Sequence, residues 1–123
     1  MNFPVRSDAC LNKFEHARTH YQQLVEKVPK SQYTSRAKYA IGNSYFMEGR
    51  YEVAVEALKQ VLRNHGDSEY AVEARFLMAQ CFENQGRIEN SLEIYQALIG
   101  KYPVPNVLEL RIAEVKKRIS RRP

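Results

Sequence analysis

Three groups of residues in this chain have types and spacings that could do chemistry. His16 and His20 stand four apart in a helical pattern, a spacing that lets two imidazoles reach one metal ion from adjacent turns. No third ligand joins them, because Glu15 points elsewhere on the wheel and His65 is far along the chain. They read as surface histidines, and no metal or other cofactor is expected. Cys10 and Cys81 have neither metal-ligand nor redox-motif spacing. Cys81 stands inside a helical pattern beside Phe82, where a small buried residue fits better than a reactive thiol. The third group is the tail Lys-Lys-Arg-Ile-Ser-Arg-Arg-Pro, with five basic residues and no acid, which leaves 14 basic and 14 acidic residues in 1–115. The net charge of +5 is therefore a property of the tail. Such a tail can attract nucleic acid or an anionic surface, although basic residues at a helix end also complement its dipole. There is no Ser-His-Asp arrangement, phosphate-binding Gly-rich loop or Cys/His cluster. The expectation is a protein that is not an enzyme.

Without a catalytic constellation, function must lie in a surface, and the elements that build that surface repeat. From Ser35 to Gly66, Ala40, Ile41, Tyr45, Tyr51, Ala54, Val55, Leu58, Val61 and Leu62 recur at helical spacing on either side of Gly49-Arg50. That is a helical hairpin with a tight turn. Small residues, Gly42 and Ala54, stand where the two helices must cross. An offset of 37 residues carries Gly49 to Gly86, Tyr51 to Ile88, Ala54 to Ser91, Leu58 to Tyr95, Tyr45 to Phe82 and Gly42 to Ala79. The same offset backward carries Tyr51 to Phe14, Ala54 to Ala17 and Leu58 to Tyr21. Agreement in size and polarity at core positions marks a repeat protein.

The spacing predicts six helices, near 8–28, 31–47, 51–65, 68–84, 88–101 and 106–119, and no strand. Residues 1–29 are a partial repeat, 31–66 and 68–103 are two full ones, and 105–123 a capping helix with its tail, all in one domain of 1–123. Pro29 and Gly66 should stop helices, and Ser31, Thr34, Asp67 or Ser68 should start them. Lys116 stands where Gly42 and Ala79 stood, so the last helix cannot be crossed closely by another and must be a cap. At the other end, Phe14, Tyr21 and Leu24 lie on a helix that lacks its preceding partner, which predicts self-association there or a missing upstream segment.

The Gly/Ala-x-x-Tyr of the first helix, the Gly-x-Tyr turn and the Ala-x-x-x-Leu/Tyr of the second helix, often closed by Pro, resemble the tetratricopeptide repeat family over residues 12–103. The resemblance implies an all-α, right-handed superhelix of antiparallel helix pairs that binds protein partners without catalysis. Its usual period is about 34 residues, and the extra length here falls in the lead-ins 29–33 and 66–70. That longer lead-in is similar to the repeats of bacterial envelope proteins, such as the Tol–Pal cell-division coordinator and the outer-membrane assembly lipoproteins. It implies a bacterial periplasmic setting. The chain shows no signal peptide and no apolar run near the roughly 18 residues of a membrane span, so an envelope protein would require a longer precursor.

In this family the first helices line a concave groove. The resemblance assigns to it Arg36, Tyr39, Asn43 and Phe46 from one repeat and Glu73, Phe76, Gln80 and Glu83 from the next. Aromatic and polar groups mixed in this way suit an extended peptide or a partner helix. The alternative for Tyr39 and Phe76 is that they pack between neighbouring repeats. Tyr39, Glu73 and Leu77 stand where a groove that grips a C-terminal carboxylate would need Lys or Arg, so that mode is not expected. Glu73 and Glu83 likewise argue against nucleic acid in the groove, leaving the basic C-terminal helix as the alternative binding element.

Overall fold

The computed structural model describes residues 5–27, 32–64 and 69–122, with side chains from 13 onward in the first segment and from 34 in the second. Six helices follow one another: α1 Val5–Lys27, α2 Gln32–Met47, α3 Tyr51–Asn64, α4 Glu69–Asn84, α5 Ile88–Ala97 and α6 Pro105–Ser120. No strand occurs among the described residues. Each helix packs on the next, and α2 also touches α4 directly. This is the all-α stacking of a tetratricopeptide-like helical repeat.

The two hairpin turns are built alike. At the first, Gly49 takes φ +80° and the Arg50 amide donates to the Tyr45 carbonyl at 2.9 Å. At the second, Gly86 takes φ +80° and the Arg87 amide donates to the Phe82 carbonyl at 2.8 Å. A left-handed glycine followed by an amide that reaches back five residues is the glycine-terminated helix end, and a side chain at either glycine would be strained. The arginine after each glycine then lies over the aromatic ring that precedes the turn, Arg50 on Tyr45 at 4.9 Å and Arg87 on Phe82 at 4.6 Å. Sequence periodicity thus extends to the cation–π contact.

Helix boundaries depart from expectation at two places. α1 begins at Val5 rather than Asp8. α5 ends at Ala97 rather than Lys101, because Leu98 and Ile99 donate to carbonyls three residues back and Gly100 turns left-handed at φ +84°. The tightened end carries Tyr102 inward, where it stacks on Phe76. The expected stops at Pro29 and Gly66 and starts at Ser31, Asp67 and Ser68, and the Cys10 side chain, lie outside the described residues.

Two apolar clusters hold the stack. One joins Ala54, Val55, Leu58 and Val61 of α3 to Ala74, Leu77, Met78, Cys81 and Phe82 of α4. The other joins Phe76 and Ala79 of α4, Ile88, Tyr95 and Leu98 around α5, and Leu108 and Val115 of α6. α3 is amphipathic because Ala54, Leu58 and Val61 recur on one face and are all fully buried. The crossing falls where the small residues stand. A Cβ on Gly42 would meet Leu58 Cδ2 at 2.6 Å and the Ala54 carbonyl oxygen at 3.6 Å. Lys116, in the corresponding position of α6, is exposed.

Candidate functional site

α2 and α4, the first helices of the two full repeats, lie side by side. The residues assigned to the groove from sequence lie on these two helices at different depths. Arg36 is exposed, and Tyr39, Asn43, Phe46, Glu73 and Gln80 are half-buried. Phe76 and Glu83, expected beside them, are buried at 8% exposure each. Phe76 lies edge-on to Tyr95 with ring centroids 5.5 Å apart and stacks on Tyr102 at 4.4 Å. The 37-residue spacing aligns Phe76 with Tyr39, but the inward swing of Tyr102 after α5 covers it.

Tyr39 is half-buried and packs against the α3–α4 apolar cluster. Its ring is 5.8 Å from that of Tyr70, tilted by 39°. Burial first, then the charge of Glu73 and the neighbouring phenols of Tyr102 and Tyr70, pushes the Tyr39 hydroxyl up to about 12. Four groups from α2, α4 and the turn before α6 therefore converge. Farther along α2, the Asn43 side-chain amide reaches Met47 Sδ at 3.9 Å, and Met47 is exposed. Phe46 packs edge-on against Tyr51 at 5.7 Å.

Glu83 has a different task. Its carboxylate accepts the Tyr95 hydroxyl and faces Arg111 at 3.8 Å and Arg118 at 3.5 Å. Burial, together with that hydrogen bond and charge, pushes the Tyr95 phenol well above its ordinary value. Glu83 thus anchors α6 to α4 and α5. The tail is drawn in further by Arg122, which pairs with Glu89 through both guanidinium nitrogens. Lys116, Lys117 and Arg121 remain exposed.

A second buried ionic group escaped the sequence reading. Arg18 of α1, 6% exposed, donates to Ser44 Oγ at 3.2 Å, faces Glu48 at 3.2 Å and lies over the Tyr45 ring at 4.2 Å. Among the described residues Glu48 Oε2 accepts no hydrogen bond, so its partner is the guanidinium charge rather than an aligned N–H. One signal was present in the sequence. Arg18 occupies a column that holds Val55 and Leu92 in the following repeats, and a charge in an apolar column needs a buried partner.

The remaining candidates fall apart as sites. His16 and His20 are exposed, with His20 edge-on to Tyr21 at 5.8 Å. Among the described residues, no three His, Cys, Asp or Glu side chains gather to hold a metal. Cys81 is fully buried, and burial pushes its thiol up to about 12. Among the described residues no helix is long and apolar enough to cross a membrane.

A tetratricopeptide repeat family model matches the chain twice, over residues 10–64 and 39–104. No curated protein matches it.

Proposed function

The chain belongs to the tetratricopeptide repeat family, whose repeats are in general non-catalytic scaffolds for protein–protein interaction, and on that premise we propose that it holds a peptide or partner helix on the α2–α4 face. One observation carries the reading. The two first helices are adjacent, and the half-buried ring of Tyr39 meets Tyr70 and the Glu73 charge of α4, with Arg36 and Asn43 on the neighbouring turns of α2. An aromatic ring among polar groups is the composition of an interface centre. Phe76 and Glu83 belong to the same binding unit as supports from below, since both are buried. An assembly of the bacterial envelope is one setting for such a scaffold, on the strength of the long lead-in before each first helix. Self-association through α1 is a second route to partners, although Phe14, Tyr21 and Leu24 are half-buried rather than bare. Binding of nucleic acid or an anionic surface through α6 is less favoured, because Arg118 and Arg122 already pair with Glu83 and Glu89.

Peptides selected from a random display library on the folded chain provide the test. Tyr39→Ala should weaken their binding by more than about 1 kcal/mol with little loss of folding stability. A loss of stability of about 3–5 kcal/mol would instead assign Tyr39 to the joint between repeats. Selected peptides that bind wild type and Tyr39→Ala equally would move the partner surface elsewhere.

A further inference from the structure

The converging groups around Tyr39 have a chemistry more specific than a peptide groove. Tyr39 and Tyr70 present tilted rings 5.8 Å apart, one from each repeat. Tyr102 supplies a third ring, fixed by its stack on Phe76 at 4.4 Å. Glu73 brings a half-buried carboxylate to the same place and makes no ion pair among the described residues. A cavity of about 360 Å³ opens beside the cluster, lined by Tyr70, Glu73, Glu69, Val72, Lys101 and Pro103. The convergence has an electrostatic trace, since the Glu73 charge raises both the Tyr39 and Tyr102 hydroxyls.

Aromatic faces are electron-rich and attract a cation placed over them, and a nearby carboxylate adds a full charge. Arg111, close enough to lower the Tyr102 phenol, is engaged with Glu83, and the exposed Lys101 lines the cavity. We propose that Tyr39, Tyr70, Tyr102 and Glu73 form a cradle for a cationic side chain, an arginine or lysine, presented by the bound peptide. This assignment rests on the groove reading above and gives its occupant a chemistry, the reverse in charge of a carboxylate grip.

The experiment uses the whole folded chain and two small probes, N-acetyl-arginine amide and its neutral isostere N-acetyl-citrulline amide, titrated by NMR. The expected result is saturable shifts of the Tyr39, Tyr70 and Tyr102 ring signals with the arginine probe, and binding at least about fivefold weaker with citrulline. Glu73→Gln should bring the arginine probe down to the citrulline level, and Glu73→Asp should restore part of the difference. An unchanged urea midpoint for Glu73→Gln checks that the fold is intact. Equal binding of the two probes, no saturable shift at these tyrosines, or an arginine response untouched by Glu73→Gln would each overturn the cradle. The display selection separates the two levels. Peptides lacking Arg and Lys that still lose affinity on Tyr39→Ala would sink the cradle and leave the interaction groove standing. Peptides rich in Arg or Lys that lose affinity in Glu73→Gln support both.

Discussion

The joint of α1 with α2 and that of α6 with α4 are each pinned by a buried carboxylate, but the two pins are made differently. At the N-terminal joint, Glu48 and Arg18 have side chains only 1% and 7% exposed, so both charges are desolvated. At the C-terminal joint, Glu83 is 9% exposed while its partners Arg111 and Arg118 are 45% and 42% exposed, and a buried tyrosine hydroxyl shares the load. Neither pin belongs to the repeat. The 37-residue offset puts Gln85 in the column of Glu48 and Phe46 in the column of Glu83. The α3–α4 joint, by contrast, is made of repeating apolar side chains. The α3–α4 joint is held by buried apolar area, whereas the α1–α2 joint and the joints of α6 add a directional contact.

The desolvated pin should be the easiest to break. Arg18→Ala leaves the Glu48 carboxylate buried without its main cation, and is expected to destabilise the chain by about 3–5 kcal/mol, read from the urea midpoint. Replacing both partners with Met should recover most of that loss, because the desolvation penalty of the carboxylate disappears with it. A cost below about 1 kcal/mol for Arg18→Ala would mean that Arg50, which faces the other Glu48 oxygen at 3.4 Å, holds the charge.

The apolar joint is next in size. Ala54→Leu enlarges a fully buried residue whose carbonyl lies under Gly42, and should cost about 1–3 kcal/mol through overpacking. An unchanged melting temperature would show that the helices can move apart there.

The C-terminal pin should respond more weakly. Arg118→Ala leaves Glu83 with Arg111 and the Tyr95 hydroxyl, and its own guanidinium is well solvated, so about 0.5–1 kcal/mol is expected. Concentrated salt should reduce that difference, and should leave the effect of Arg18→Ala nearly intact, since buried pairs are poorly screened.

Alkali separates tyrosines by position. The Tyr39 and Tyr95 phenols are raised in the folded chain, so folding favours their neutral forms. Their contribution is complete below the ordinary tyrosine value near 10 and is lost as pH rises from there toward about 12, because the unfolded chain ionises first. Phenolate absorbance from these two should therefore appear only above the ordinary tyrosine range, together with unfolding. A single step near 10 with the helices intact would contradict the burial of both rings.

Least of all should follow from Arg122→Ala. Its partner Glu89 is exposed, and the Arg122 hydrogen bond holds that carboxyl below its usual range. Any contribution is present above the usual carboxylate range and fades on acidification. The unfolding midpoint at neutral pH should not move measurably.

Residue order alone determined a good deal here. Periodicity, glycine chemistry and small residues at crossings are local or strictly repeated signals. They were enough to specify six helices, hairpin breaks at Gly49 and Gly86 and the Gly42 crossing. That Arg36, Tyr39, Asn43, Glu73 and Gln80 keep some access to solvent was legible for the same reason, since a residue's face on a helix follows from its number. Depth was not. Phe76 and Tyr39 share a column, yet Phe76 is sealed because α5 ends early and turns Tyr102 onto it. Glu83 is sealed because two arginines of α6 close over it from 28 and 35 residues away. The Arg18–Glu48 pair and the Tyr39–Tyr70–Tyr102–Glu73 cluster likewise join residues from separate helices or turns. Only the tertiary structure decides such contacts, because a repeat fixes which way a side chain points and not which neighbour, at the irregular ends of the stack, arrives to cover it.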